Sequence, residues 1–213
     1  TNNLNKNNTH ITIWLYLSLF LVSALIFIGG LTRLTESGLS ITNWELFSGI
    51  LPPLTDKKWE YYFSLYKQIP QYKEINFGMS LAEFKYIFWW EYIHRLLARL
   101  ASLTFILPFI YFVIKKKFNF KQIVFYSIIS LLFFFQGFLG WYMVKSGLIS
   151  NTDVSHFRLS AHLLGAQIIL SLLFFSILFR NTKKIYLNLY SYLILFFLII
   201  IFFQIAIGAF VSG

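Results

Sequence analysis

The chain has 213 residues, 58% of them hydrophobic and only 12% charged, with a mean hydropathy of +0.67. Soluble globular domains carry roughly a quarter of their residues as charges, so this balance excludes that class and sets an integral membrane protein in its place. The net charge of +10 falls in short clusters between apolar runs rather than along one face, which reads as a topology signal and not as a nucleic-acid surface.

Five segments, at about 11 to 30, 87 to 114, 123 to 144, 157 to 179 and 187 to 210, reach the roughly 20 apolar residues that a bilayer crossing needs. Residues 1–10 ahead of the first, including His10, form a polar tail. No small-residue cleavage site follows the first apolar run, so it reads as a retained span. Segment 31–86 is too long for a simple connector, its acidic and basic residues balance, and stretches such as KKWEYYFSLYKQIPQY are too aromatic for a solvated linker. It is expected to form short amphipathic helices on the outer membrane surface, with Trp59, Tyr61, Tyr62 and Tyr66 at headgroup level. The plainer alternative is an ordinary capping loop. Lys115, Lys116, Lys117 and Lys121 follow the second span, and Arg180, Lys183 and Lys184 follow the fourth. The positive-inside rule puts both loops, and hence the N-terminus, on the cytoplasmic or matrix side.

The expected architecture is all-α: a four-helix transmembrane bundle over 11–179, including the outer loop 31–86, with a fifth span in 187–213. A weak internal echo accompanies it. Gln136 and Gly140 in FQGFLGWYMVKSG match Gln204 and Gly208 in FQIAIGAFVSG, and the end of span one, IGGLTRLTESG, resembles the end of span five, IGAFVSG. Span five therefore reads as the first helix of a second repeat.

The absence of cysteine removes disulfides, thiolate-bound zinc and iron–sulfur clusters, so any redox chemistry uses a bound cofactor. His94 lies about two turns into the second span and His162 about one to two turns into the fourth; both spans enter from outside, so the imidazoles share a depth. A lone membrane histidine is more often a helix–helix hydrogen bonder. Two at matched depth point to a shared ligand, and ionisable groups inside a span are functional candidates by default. Gly165 and Ala166 lie within roughly 60° of His162, a shallow face that leaves room for a flat ligand. Imidazoles on both sides of an iron porphyrin are a common form of haem ligation, and bundle cores are where such cofactors sit. His156 lies about 120° around the helix and is read as interfacial or hydrogen-bonding.

Arg158 shares the face of His162, and Arg95 and Arg99 follow His94 on an adjoining face, where guanidinium groups can pair with haem propionates or snorkel to lipid phosphate. Glu91 sits three residues before His94, on nearly the same face. Beside a haem its carboxylate can orient a ligand, move a proton or stabilise a developing positive charge.

The strings GGLTRLTESGLSITNWELFSGILPPL, YKQIPQYKEINFGMSLAEFKYIFWWEYIHRLLARL, FFQGFLGWYMVKSGL and VSHFRLSAHLLGA, in that order, closely resemble the haem A synthase family of the alphaproteobacterial and mitochondrial type, over nearly the whole chain. The resemblance implies an eight-helix fold of two similar four-helix halves, each with a pair of haem-ligating histidines. It implies oxidation of the C8 methyl of haem O, through successive hydroxylations, to the formyl group of haem A, which serves cytochrome c oxidase. His94 and His162 match the histidine pair of the first half, the one usually assigned to haem O, with haem B in the second. Glu91 matches the family's catalytically important glutamate in EYIHR. The cysteine pair that some bacterial members carry in the first outer loop is absent.

The family continues with three more spans, whereas this sequence stops at Gly213. The expectation is therefore a split or truncated protein that holds the haem O site and is inactive without a C-terminal half. The partners implied are haem O, the lipid bilayer, that other half, haem O synthase and an electron acceptor the sequence does not name. The membrane implied is the bacterial or mitochondrial inner one. Two other classes compete: a b-type electron-transfer cytochrome, which needs the same histidines but no catalytic carboxylate, and a transporter or assembly subunit whose histidines only relay protons.

Overall fold

The computed structural model describes residues 2–43, 48–150, 152–180 and 189–212. Among them the architecture is helical: α1 (Asn2–Leu34), a 3-10 turn (Ser48–Ile50), α2 (Asp56–Tyr66), α3 (Pro70–Glu74), α4 (Leu81–Ile114), α5 (Phe120–Ser150), α6 (His156–Phe179) and α7 (Leu189–Ser212). Five of these, α1, α4, α5, α6 and α7, are long and apolar enough to cross a membrane. Large apolar side chains such as Phe20, Phe27, Leu131 and Phe134 stay exposed on the outside of the bundle, as lipid-facing positions require. Lys183 and Lys184, and the first residues expected for the fifth span, lie outside the described residues.

α1 packs on α4 and α6, and α5 packs on the same two, so the four close into a bundle in which α4 and α6 stand on one diagonal. α7 lies against the outside of α6, where Phe157 meets Phe210 edge-on at 4.7 Å. The apolar core of the bundle is built largely of aromatic rings, among them Trp14, Phe105, Phe109 and Tyr126. Trp14 has a second task there. Pro108 lies inside α4 and has no N–H to give to the carbonyl of Thr104, one turn back. The Trp14 indole N–H donates to that carbonyl and to the carbonyl of Phe105, each at 3.1 Å. Trp14→Phe keeps the ring and loses the donor, so it should destabilise the detergent-solubilised protein by about 1 kcal/mol. Thermal melts should show the loss shrinking in a Pro108→Ala background; an unchanged loss there would separate the indole from the proline.

α4 starts six residues before the expected span. Its start is fixed by a reciprocal cap in which Ser80 Oγ accepts from the Glu83 N–H at 3.3 Å and Glu83 Oε2 accepts from the Ser80 N–H at 2.7 Å. The extra turns project Phe84, Ile87 and Phe88 beyond the bundle core, and α2 covers them. Trp59, Phe63 and Tyr66 recur at helical spacing on α2 and are buried, with Trp59 edge-on to Phe88 at 4.9 Å and Phe63 stacked on Phe84 at 5.0 Å. This corrects the headgroup placement of Trp59 and Tyr66: the aromatic stripe of α2 faces a second protein core. Tyr61 remains exposed. Tyr66 is completely enclosed and donates to Gln71 Oε1 at 3.1 Å while accepting from Asn76 at 2.8 Å; burial pushes its phenol above the usual range. The described residues of segment 35–80 thus form a folded cap on one end of the bundle.

Candidate functional site

The junction between the two cores holds the ionisable groups. Glu91, 3% exposed, lies where α4 passes from cap to bundle. Its Oε2 accepts from the Ser40 hydroxyl and from the Ile41 N–H, both at 2.7 Å, and its Oε1 accepts from the Arg95 guanidinium one turn on. Arg95 also donates to the Ile41 carbonyl at 2.8 Å, so both backbone polar groups of Ile41 are gripped by α4 side chains. A buried carboxylate is tolerated only when paired and hydrogen-bonded, and three donors from two segments meet that condition. Arg95 lies four residues after Glu91, at helical spacing, whereas Ser40 and Ile41, about fifty positions away, leave no local signal in the sequence.

His94 and His162 stand on the diagonal pair α4 and α6, so they approach the bundle axis from opposite sides. Each imidazole packs directly against a glycine on a neighbouring helix. A Cβ added at Gly29 of α1 would lie 3.2 Å from His94 Nε2, and one at Gly140 of α5 would lie 3.2 Å from His162 Cε1 and 3.7 Å from its Nε2. The expected shallow face at Gly165 is corrected by the same geometry: the terminal amide of Gln136 on α5 occupies the place where a Gly165 side chain would stand. The small residues that matter to the imidazoles are therefore on α1 and α5. Among the described residues no cluster of three or more His, Asp or Glu forms, so a metal at this point would take only the two imidazoles from the protein. A porphyrin, which brings its own four nitrogens, fits that donor set. His162 Nδ1 is buried without a hydrogen-bond partner, which is a further mark of a pocket built for a ligand.

The arginines are placed around this pair but engaged by protein groups. Arg158, in the first turn of α6, donates to the Ser146 hydroxyl and lies over the Tyr142 ring, 4.6 Å from its centre. Arg99 donates to the Arg95 carbonyl at 3.1 Å. A cavity of about 240 Å³ opens beside Arg95, between Thr42 and Asn43 on one side and Trp141, Val144 and Lys145 on the other, with the Lys145 ammonium 4.9 Å from the Trp141 ring centre. Its lining is cationic. His156 is exposed, with its ring 5.8 Å from Phe210 on α7, so it belongs to the α6–α7 contact.

Residues 12–213 match the family described as cytochrome oxidase assembly protein. Among curated proteins, the chain is similar to the heme A synthase of Pelagibacter ubique (strain HTCC1062), with 51% identity over 209 residues, 96% of this chain and 61% of that protein. With the heme A synthase of Flavobacterium psychrophilum it shares 45% over 213 residues, 98% of this chain and 62% of the relative. With that of Rickettsia felis it shares 50% over 168 residues, 79% of this chain and 50% of the relative. The chain thus spans half to about three-fifths of the length of these relatives. No solved structure matches it.

Proposed function

The chain belongs to the cytochrome oxidase assembly protein family, and from that premise we propose that it is the haem O-binding part of a haem A synthase, the oxidoreductase that converts the C8 methyl of haem O to a formyl group. The observation that carries the reading is the pair of imidazoles on diagonal helices, each seated against a glycine of a neighbouring helix where a side chain would displace it. His94 and His162 hold the iron of the substrate. Arg95, Arg99 and Arg158, with Lys145 at the cationic cavity, face the carboxylate edge of the ring. Glu91 serves beside the reacting edge, where its charge favours positive character and its oxygens can take a proton. When bound, haem O supplies the methyl group that is oxidised; the electrons leave to an acceptor outside this chain. A haem B cofactor belongs to the C-terminal half of the family's fold, and haem O synthase is the source of substrate. The N-terminus lies on the cytoplasmic or matrix side, with the cap on the outer side; the cluster Lys115, Lys116, Lys117 and Lys121 supports that orientation.

Haem extraction and mass analysis test the reading. Haem O together with hydroxylated or formylated derivatives supports a synthase, whereas haem B alone would favour the b-type cytochrome. The glycines give a second check. Gly140→Leu pushes a side chain into the place of the His162 ring and should weaken haem binding about ten-fold, the scale of an overpacked core, with helix content unchanged by circular dichroism. Unaltered haem affinity would place the ligand elsewhere.

A further inference from the structure

Gln136 is a buried group with no task in the ligand-free protein. Both polar atoms of its side-chain amide are inaccessible and lack hydrogen-bond partners among the described residues, a state that is strongly unfavourable for an amide inside a bilayer. It is also confined: its amide lies against the bare Cα of Gly165 on α6, in the place a side chain there would take. Gln136 precedes Gly140 by four residues on α5, so the two share a face, and Gly140 is the residue beside the His162 imidazole. α5 runs toward the cap, which puts Gln136 about 6 Å further from the cap than Gly140. The Arg95 guanidinium reaches back along α4 to Glu91 and Ile41 at the cap seam, Arg158 precedes His162 on α6, and Lys145 follows Gly140 on α5 toward the cap. A porphyrin whose carboxylates face those cations turns its opposite edge toward Gln136.

We propose that Gln136 is a specificity-determining residue that hydrogen-bonds an alcohol on the buried edge of the porphyrin, the hydroxyl of the isoprenoid-bearing arm by which haem O differs from haem B. The inference rests on the haem O reading above. An alcohol both donates and accepts, so it satisfies a carbonyl oxygen or an amide N–H that hydrocarbon cannot. The vinyl group found at that position in haem B offers neither and leaves the amide unpaired. Sites built to pair a ligand hydroxyl reject the analogue lacking it because their own buried polar groups are then stranded.

The test compares the purified full chain with Gln136→Leu, titrating each with haem O and with haem B and reading the Soret band. Wild type should bind haem O about ten-fold more tightly than haem B. Gln136→Leu should lose most of that preference, chiefly through weaker haem O binding, while keeping the bis-imidazole spectrum. Ligand-free Gln136→Leu should melt no lower than wild type, since it loses an amide without partners. A variant that keeps the wild-type preference, or that melts lower when ligand-free, overturns the inference. If wild type binds haem O without dependence on His94 and His162, the reading it rests on fails as well.

Discussion

Replacing either His94 or His162 with alanine should abolish the low-spin bis-imidazole spectrum of this chain bound to haem O. On the proposed reading both imidazoles would hold the iron and set its spin state, and the diagonal placement of α4 and α6 leaves no other described histidine at that depth: His156 is an exposed neighbour of Phe210, and His10 lies toward the uncapped end of α1. The expected change is complete loss of the six-coordinate species, with a high-spin five-coordinate remnant at most. The fold should survive, because the His162 ring leaves no hydrogen bond behind at its buried Nδ1. Free imidazole added to either variant should restore the spectrum by filling the vacated space, which a general unfolding defect would not permit. An unchanged spectrum in both variants would reject the assignment.

Glu91→Gln in an enzyme containing both halves should retain haem and produce little haem A, with a loss of two orders of magnitude or more expected of a group that stabilises charge at the reacting edge. The structure adds a competing cause. Glu91 carries the charge opposite Arg95 and accepts from Ser40 and Ile41, and breaking a buried pair from one side costs about 3–5 kcal/mol. A second variant separates the two roles. Glu91→Gln combined with Arg95→Gln removes the stranded guanidinium charge. If Glu91 only supports the structure, stability and the haem A formed per haem bound should recover together, the normalisation allowing for the weaker haem binding expected without Arg95. If it acts in the chemistry, stability should recover in part while yield stays low. Near-normal yield from the single variant would leave the carboxylate a structural partner alone.

The spans were legible because nothing but length and apolarity is needed to recognise a bilayer crossing, and all five appear close to where the apolar runs place them. The early start of α4 was missed by hydropathy alone; the Ser80 and Glu83 spacing ahead of the apolar run is the signal that marks it. The facing of α2 was not legible. A stripe of Trp59, Phe63 and Tyr66 looks the same whether it meets headgroups or a protein core, and only the turns of α4 that carry Phe84 and Phe88 decide between them. The same limit applies at the site. His94, His162 and Glu91 declare themselves as polar groups in apolar surroundings. Gly29, Gly140 and Ser40 are ordinary residues until another helix comes within a few ångströms, and pairings across fifty or more positions leave no local trace.

Ile41 belongs to an irregular segment, yet its N–H ends on a buried carboxylate and its carbonyl on a buried guanidinium. Backbone amides in surface loops ordinarily exchange their hydrogens with solvent through small local openings. This one has no small opening available, since freeing it means separating Glu91 from a donor and admitting water to the seam between cap and bundle. The two cores are therefore joined thermodynamically as well as by chain. Ile41 should exchange as slowly as amides in the middle of α4, and the cap should come apart in the same cooperative transition as the helices beneath it.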